Sequence, residues 1–346
     1  MKGHYDIVYL TNTPSFYKIN LCNEIGKKKR LLLVLYGYGE EAVNRELGDS
    51  SSYNFDYVFL WGGNSADRNK LKTFFRLCRL MHSISYGKIL FSGWFVPEYN
   101  IFAMLSPKRK NCMLCESTIY ESSVSGIKGF IKKIIINRCS MALPSGVAHK
   151  AIFDSIGYKG KIKITGGVGI FNKAPRDMDR DKDISPKRFL YVGRLIECKN
   201  LRFLIERFNE NGKPLTIAGK GPLEKELKEM AKGNIEFTGF IANEKLPEVY
   251  KAHDIFILPS RTEPWGVVVE EAIYWGLPVI TSDRVGCSNE MVIAPNTGCT
   301  FKLDDKGGFD RAIESVEENY NVYRGNALKF DFDIRDKKQI EAYTSL

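Results

Sequence analysis

Strand-length apolar runs alternate with segments of helical periodicity along most of this chain, and that alternation limits the fold to the α/β class. The first half contains seven candidate strands, at Ile7–Leu10, Leu31–Tyr36, Tyr57–Trp61, Lys88–Ser92, Cys112–Cys115, Met141–Pro144 and Lys161–Thr165. The second half contains five more, at Arg188–Val192, Leu215–Ala218, Ile235–Thr238, Ile255–Leu258 and Val279–Thr281. Strands separated by helices pair in parallel, so the sequence predicts two parallel sheets wrapped by crossover helices.

A polar stretch without apolar periodicity, residues 172–187, separates the two series of strands and is the predicted linker. With about 150 residues per domain as a guide, the 346 residues of the chain leave room for one domain on each side. We predict an N-terminal Rossmann-like domain at 1–171 and a C-terminal Rossmann-like domain at 188–325. A helical segment at 326–346 is expected to return to the N-terminal domain.

The composition is that of a globular protein, with 44% apolar and 27% charged residues. The apolar runs are far shorter than the roughly 18 to 20 residues that span a bilayer, and the N-terminus lacks the apolar core of a secretory signal. We therefore expect a cytoplasmic protein, with peripheral attachment to the inner face of the membrane as an open alternative. The single CxxC, Cys112 and Cys115, has no second pair and no nearby His, which favours structural thiols over zinc or redox chemistry.

Positive charge is concentrated in the first half of the chain. Residues 1–171 contain 24 Lys and Arg against 12 Asp and Glu, whereas the remainder contains 27 against 29. Such asymmetry suggests a polyanionic partner, and an ordinary solvated basic surface is the alternative. The absence of a basic run interleaved with aromatic residues argues against nucleic acid, so an anionic membrane surface is the remaining candidate partner.

The segment Ile127–Arg138 allows two interpretations. Its apolar stripe fits an interfacial amphipathic helix flanked by Lys128, Lys132, Lys133 and Arg138. It equally fits a crossover helix whose apolar side packs against the sheet, and we favour that packed interpretation. The same two alternatives apply to Arg68–Met81.

The most informative segment, from Leu258 to Ala272, reads as a buried strand, a loop and a helix. Glu263 therefore lies at the carboxyl end of a parallel strand, where ligands bind in open α/β sheets. The amides of Gly266 and Val267 open the helix without intrahelical partners and can bind phosphate, while Glu271 follows about one turn later. Carboxylates beside an anion site suit a nucleotide sugar, whose hydroxyls need acceptors and whose phosphates need donors.

Two more turns follow strands in the same way. Gly193, Arg194 and Lys199 form a strand-to-helix loop in which a guanidinium and an ammonium can contact a diphosphate from two sides. In the second turn, Gly219 and Gly221 permit close backbone approach.

Together these turns resemble glycosyltransferase family 4, a family of retaining GT-B enzymes, and the resemblance covers residues 187–300. It is carried by Gly-Arg-Leu-x-x-x-Lys at 193–199, Ala-Gly-x-Gly-Pro-Leu at 218–223, Thr-Gly-Phe at 238–240, Leu-Pro-Ser at 258–260 and the two glutamates of a Glu-x7-Glu signature, Glu263 and Glu271. The resemblance implies an α/β GT-B fold whose two Rossmann-like domains face each other across a cleft. It also implies transfer of a sugar from a nucleotide-diphosphate donor to a glycan acceptor with retention of configuration.

By the same resemblance, Arg194 and Lys199 contact the donor diphosphate, Glu263 the donor sugar and Glu271 the ribose. Glu263, Arg194 and Lys199 are the candidate catalytic residues, and Phe240 joins the glycines and Val267 as a candidate donor contact. The family often has a His after the strand near the middle of the N-terminal domain, but residues 114–118 contain none, and Glu116 is the candidate for that donor-sugar contact. The candidate contacts in the N-terminal domain are Asn12, Ser15 and Glu116.

The expected donor is a nucleotide sugar, a UDP-sugar before a GDP-sugar. The expected acceptor is a glycan, a polyprenyl-diphosphate-linked oligosaccharide of bacterial surface polysaccharide (O-antigen or capsule) being the favoured choice. Neither a metal nor a cofactor is expected, because the Asp-x-Asp pairs of residues 177–183 fall in the linker. The alternatives are a nucleotide-sugar 2-epimerase or a phosphorylase of the same fold.

Overall fold

The computed structural model describes residues 3–38, 52–171, 173–176, 187–305 and 307–346. The chain divides into two compact units: unit 1 comprises Met1–Asn172 with Asp333–Leu346, and unit 2 comprises Lys173–Phe332. Most of the predicted linker, with its Asp-x-Asp pairs, lies outside the described residues.

Unit 1 is built on a seven-stranded parallel sheet in the order β3-β2-β1-β4-β5-β6-β7. The chain starts at the centre, runs to one edge and returns to the other side of β1, so the carboxyl ends of β1 and β4 border a switch in strand order. The strands are β1 (His4–Thr11), β2 (Leu31–Leu35), β3 (Asp56–Phe59), β4 (Ser85–Ser92), β5 (Asn111–Cys115), β6 (Met141–Pro144) and β7 (Lys161–Ile162).

Two helical layers cover the sheet of unit 1. Buried side chains of α2 (Lys70–Ser83), α3 (Pro97–Leu105), α4 (Gly126–Ile136) and α5 (Val147–Ser155) form one core with one face of the sheet. Those of α1 (Phe16–Gly26) and α12 (Phe332–Thr344) join the core on the other face. Both faces of the central strands are thus buried, which is why these strands read as unbroken apolar runs.

The CxxC motif is part of the central strand β5. Cys112 lies in the core beneath α1 and α12, and Cys115 lies in the core beneath α2 to α5, so the two thiols point to opposite faces of the sheet. Burial raises the pKa of Cys112 to about 11 and that of Cys115 to about 12. These are protonated structural thiols.

The favoured interpretation of Ile127–Arg138, packing against the sheet, is wrong for most of its apolar stripe. Four of its side chains are 41% to 80% exposed, namely Ile127, Phe130, Ile131 and Ile134. The contact with the sheet is made instead by Ile135 and Ile136 at the helix end. Lys132, predicted as a flanking cation, is buried and donates to Ser122 Oγ and Ser123 O, both at 2.6 Å.

Unit 2 is built on a six-stranded parallel sheet in the order β10-β9-β8-β11-β12-β13. The strands are β8 (Phe189–Val192), β9 (Leu215–Ala218), β10 (Ile235–Gly239), β11 (Ile255–Leu258), β12 (Val279–Ser282) and β13 (Gly298–Phe301). The helices are α6 (Leu201–Asn211), α7 (Glu224–Met230), α8 (Leu246–Ala252), α9 (Val267–Tyr274), α10 (Gly308–Glu318) and α11 (Tyr320–Lys329). The α/β fold class with two parallel sheets is therefore confirmed.

The last helix passes from one unit to the other. Residues up to Phe332 belong to unit 2, beyond the boundary at 325 expected from sequence, because α11 packs on α9. The remainder of α12 belongs to unit 1, where Ile340 and Tyr343 enter the core.

Candidate functional site

Unit 2 has one switch in its strand order, between β8 and β11. After β8 the chain proceeds outward through β9 and β10, then returns to the opposite side of β8 with β11. The loops that leave these two strands therefore diverge and border a crevice, the usual ligand site in open parallel sheets. Gly193 and Arg194 leave β8, and the loop with Glu263 leaves β11.

A salt bridge between Lys199 and Glu263 joins the two loops. Both side chains are mostly buried, with exposed fractions of 14% and 13%, so each charge compensates the other's loss of hydration. Arg261 adds a second connection, since its backbone amide donates to Cys198 O at 2.8 Å and its side-chain Nε donates to Asn200 Oδ1 at 3.0 Å. Two residues predicted separately for the site are thus in direct contact.

The glycine turns after β8 and β9 are packed backbone against backbone. The Gly193 amide donates to Ala218 O at 3.0 Å, and the Leu195 amide donates to Lys220 O at 2.9 Å. A Cβ on Gly219, whose φ is +147°, would lie 1.9 Å from Gly193 O. A Cβ on Gly221 would lie 2.3 Å from Leu195 O. These glycines are required because the two turns leave no room for a side chain.

The loop before α9 is held in place by the loop that leaves β12, residues 283–287. The Gly286 amide donates to Glu263 O and the Cys287 amide to Trp265 O, both at 2.9 Å. Gly266 has φ of +98°, which re-aims the backbone just before α9. The amides of Gly266 and Val267 open α9 and have no partners within the helix. They lie at the end of the sheet that carries Glu263. The loop at residues 283–287 was not predicted as part of the site, although its place after the strand next to β11 could have indicated it.

Two tyrosines hold predicted site residues and were also missed. Tyr250 OH donates to Glu271 Oε2 at 2.8 Å, which orients that carboxylate from α8. Tyr191 OH donates to Arg194 O at 3.0 Å. Burial, together with the nearby Glu263 carboxylate, raises the pKa of Tyr191 well above its usual value, so the phenol remains a donor. Neither tyrosine lies in a recognisable motif.

The remaining predicted residues of unit 2 lie along the same edge of the sheet. Arg194 is exposed and Val267 is partly buried at the start of α9. Phe240 follows β10, which is the outermost strand of the sheet and lies two strands from β8, and it is 63% exposed. An exposed ring there can contact a flat ligand, whereas the Lys199 and Glu263 pair lies beside the switch in strand order.

Of the predicted residues of unit 1, Glu116 contacts a buried lysine that sequence reasoning missed. Lys18 on α1 donates to Thr11 Oγ1 at 3.1 Å and lies 3.4 Å from both carboxylate oxygens of Glu116. Asn12 follows Thr11, whose hydroxyl lies 3.4 Å from Asn12 Oδ1, and Ser15 precedes α1. The carboxyl ends of β1 and β5 thus present a cation and a carboxylate together.

Metal ligands are not grouped in the described part of the chain. Within it, no cluster of three or more His, Cys, Asp or Glu side chains could hold a metal ion. None of the described helices is long and apolar enough to cross a membrane.

Comparison with known proteins finds a family match in the second unit. Residues 176–327 match the family model of glycosyl transferases group 1. An uncharacterized glycosyltransferase of Methanocaldococcus jannaschii is 34% identical over 112 residues, which is 29% of this chain and 28% of that protein. The O-antigen chain mannosyltransferase C of Escherichia coli is 26% identical over 169 residues, 46% of this chain and 45% of that protein. The aligned segments therefore span less than half the length of these relatives.

A solved structure matches over both units. HepE of Anabaena, in complex with UDP and glucose, has a TM-score of 0.72 at 17% identity and covers 99% of this chain and 100% of its own. This likeness establishes the fold. The chain has the two-domain α/β fold of GT-B glycosyltransferases, and its residues 176–327 are similar to the glycosyl transferases group 1.

Proposed function

We propose that this protein is a retaining glycosyltransferase that moves a sugar from a nucleotide-diphosphate donor to a glycan acceptor. The observation that carries the proposal is the contact between Lys199 and Glu263 beside the switch in strand order of unit 2, next to the first amides of α9. This arrangement offers cationic and amide donors for phosphates and a carboxylate for sugar hydroxyls at one edge of a sheet.

In the proposed reaction the donor diphosphate is the leaving group. Negative charge grows on it as the bond to the anomeric carbon breaks, and Lys199, Arg194 and the amides of Gly266 and Val267 stabilise that charge. Glu263 accepts hydrogen bonds from donor-sugar hydroxyls, and Glu271, oriented by Tyr250, accepts them from the ribose. The glycine turns and Phe240 line the nucleotide.

Retention follows from attack on the same face of the sugar as the leaving group. The acceptor oxygen forms the new bond to the anomeric carbon while the bond between that carbon and the diphosphate oxygen breaks. The electron pair of the broken bond stays on the diphosphate oxygen. The acceptor proton passes to that phosphate oxygen, so the products are the glycosylated acceptor and the nucleoside diphosphate. No protein nucleophile and no metal are needed in this scheme.

We assign the acceptor to unit 1, where Asn12, Ser15, Glu116 and Lys18 supply polar groups at the sheet edge. A UDP-sugar is the preferred donor, supported by UDP in the HepE structure. A polyprenyl-diphosphate-linked oligosaccharide at the inner face of the cytoplasmic membrane is the preferred acceptor, supported by the O-antigen mannosyltransferase among the relatives. The relatives named above lend no support to a 2-epimerase or phosphorylase.

A donor screen tests the proposal. We expect one UDP-sugar to raise the melting temperature of the wild-type protein and to release UDP when acceptor is supplied. Arg194→Ala and Glu271→Ala should each weaken donor binding by about tenfold or more, because each removes a charge-assisted contact worth about 1.5–3 kcal/mol. Lys225→Ala, an exposed lysine on α7, is the matched control. A wild type that no nucleotide sugar stabilises would contradict the proposal.

Cys198 reports on the same site without any acceptor. It is partly exposed and lies directly before Lys199, so bound UDP should slow its reaction with a thiol reagent severalfold. Cys78 and Cys299 are also partly exposed, lie away from the switch in strand order and should keep their rates. Buried Cys22, whose pKa burial raises to about 12, should not react at neutral pH. Mass spectrometry of labelled peptides gives each rate, and equal protection of all three exposed thiols would argue against a donor site here.

A further inference from the structure

The outward face of three consecutive helices in unit 1 is unusually apolar. α2, α3 and α4 carry nine of the large apolar side chains that are more than 40% exposed: Leu71, Phe75, Ile101, Met104, Leu105, Ile127, Phe130, Ile131 and Ile134. We call this set the outer apolar face. In unit 2 only Phe240, Ile293 and Val322 are comparably exposed among the described residues. Exposed apolar surface on this scale marks a binding surface rather than ordinary solvent exposure.

The exposed residues form one stripe on each helix, in addition to the stripe that packs on the sheet. In α4 the outward residues follow the spacing i, i+3, i+4 and i+7 from Ile127, while Ile135 and Ile136 face the core. A surface helix of a soluble protein normally carries one apolar stripe. Because α2 contacts α3 and α3 contacts α4, the three outward stripes lie on adjacent helices of one layer.

The exposed charges on the three helices themselves have one sign. Every residue of the three helices is described, and their single carboxylate, Glu98, is buried in a salt bridge with Arg68. Exposed cations lie on α2 and α4 at Lys70, Lys72, Arg79, Lys128 and Lys133, and Lys108 and Arg109 follow α3. Apolar side chains flanked by lysine and arginine match an anionic lipid surface in both polarity and charge.

The same charges argue against a second copy of this chain as the occupant. A symmetric dimer would place this face against itself and bring cations opposite cations. Protein interfaces are moreover depleted in lysine, whereas four of the seven exposed cations around this face are on α2 and α4 and are lysines.

We propose that the outer apolar face docks unit 1 on an anionic lipid bilayer. The proposal deepens the proposed function and rests on it, because it names the surface through which the enzyme would reach a lipid-linked acceptor. The apolar side chains would enter the headgroup region, and the surrounding cations would contact lipid phosphates. Docking of this kind needs no membrane-spanning helix.

Flotation of the full chain with lipid vesicles tests the proposal. We expect binding to vesicles that contain phosphatidylglycerol, little binding to phosphatidylcholine alone, and a loss of about tenfold or more when salt rises from about 0.1 M to about 0.5 M. Ile127→Ser with Phe130→Ser should reduce binding about tenfold or more, since both side chains lose lipid contact. Lys128→Glu with Lys133→Glu should act in the same direction.

Two matched pairs of variants serve as controls. Ile293→Ser with Val322→Ser changes two apolar residues of unit 2 that are also more than half exposed, and Lys337→Glu with Lys338→Glu changes exposed lysines on α12, on the other face of the sheet. Both should bind vesicles like the wild type. Equal loss in test and control variants, or salt-independent binding to phosphatidylcholine, overturns the proposal. So does sedimentation showing a wild-type dimer that Ile127→Ser with Phe130→Ser dissociates.

Donor binding separates this proposal from the proposed function. Every variant above should retain the wild-type thermal shift with the nucleotide sugar, because none of these residues belongs to the site of unit 2. Loss of vesicle binding with an intact donor response supports the docking surface. Vesicle binding as expected, in a protein that no nucleotide sugar stabilises, would refute the proposed function and leave the surface standing; a donor response without vesicle binding would refute the surface alone.

Discussion

Lys199→Ala should lower kcat for sugar transfer by about 10²–10³-fold, which corresponds to about 2.7–4 kcal/mol of transition-state stabilisation. The substitution removes the ammonium that we propose stabilises charge on the departing diphosphate. It also leaves the mostly buried Glu263 carboxylate without its partner at the switch in strand order. A coupled assay of nucleoside diphosphate release, with kcat and KM determined separately, measures the effect.

The control for Lys199→Ala is Lys225→Ala, which removes an exposed lysine from α7 and should leave kcat unchanged. Lys199→Arg provides a second comparison because it keeps the charge while changing its geometry, so it should recover part of the lost rate. If Lys199→Ala raised only KM for the donor, the lysine would contribute uniform binding and the assignment to the leaving group would be wrong.

Gly219→Ala should destabilise unit 2 by about 3 kcal/mol or more, since it combines backbone strain with overpacking. The new Cβ would lie 1.9 Å from Gly193 O, and φ of +147° is a conformation that alanine rarely adopts. The turns after β8 and β9 must then separate, which also displaces Arg194. Urea denaturation followed by circular dichroism gives the loss of stability.

Gly233→Ala is the matched control, because a Cβ at Gly233 has no heavy atom within 4 Å. It should leave the unfolding midpoint nearly unchanged. If Gly219→Ala were as stable as the Gly233→Ala variant, the close packing of the two turns would not be a requirement of the fold.

The location of the candidate site residues of unit 2 follows from sequence because each lies in a turn that follows a strand. Strand-to-helix turns at Gly193, Gly219 and Glu263 could be located from apolar runs that end in glycine and charge, and parallel pairing puts all of them on one edge. The contact between Lys199 and Glu263 could not be predicted, because it depends on which strands are neighbours in the sheet. β8 pairs with β11 as well as with β9, the next strand along the chain.

The orientation of side chains toward the core or toward solvent could also not be predicted from sequence. In α4, six of the eleven residues have large apolar side chains and they lie on more than one side of the helix, so periodicity does not say which stripe faces the sheet. Lys18 and Lys132 are buried although lysine is normally exposed. Each is held by oxygen atoms of residues distant in sequence or across a loop, and single-sequence patterns contain no record of such partners.

The course of α12 has a consequence for synthesis on the ribosome. Ile340 and Tyr343 complete one of the two cores of unit 1, whereas the strands of that unit end at Ile162. That face of the first sheet therefore stays partly uncovered until all of unit 2 has been translated. Unit 2 can fold before unit 1 is complete. Nascent chains stalled before α12 should therefore expose the apolar face around Leu33 and Leu114 to chaperones.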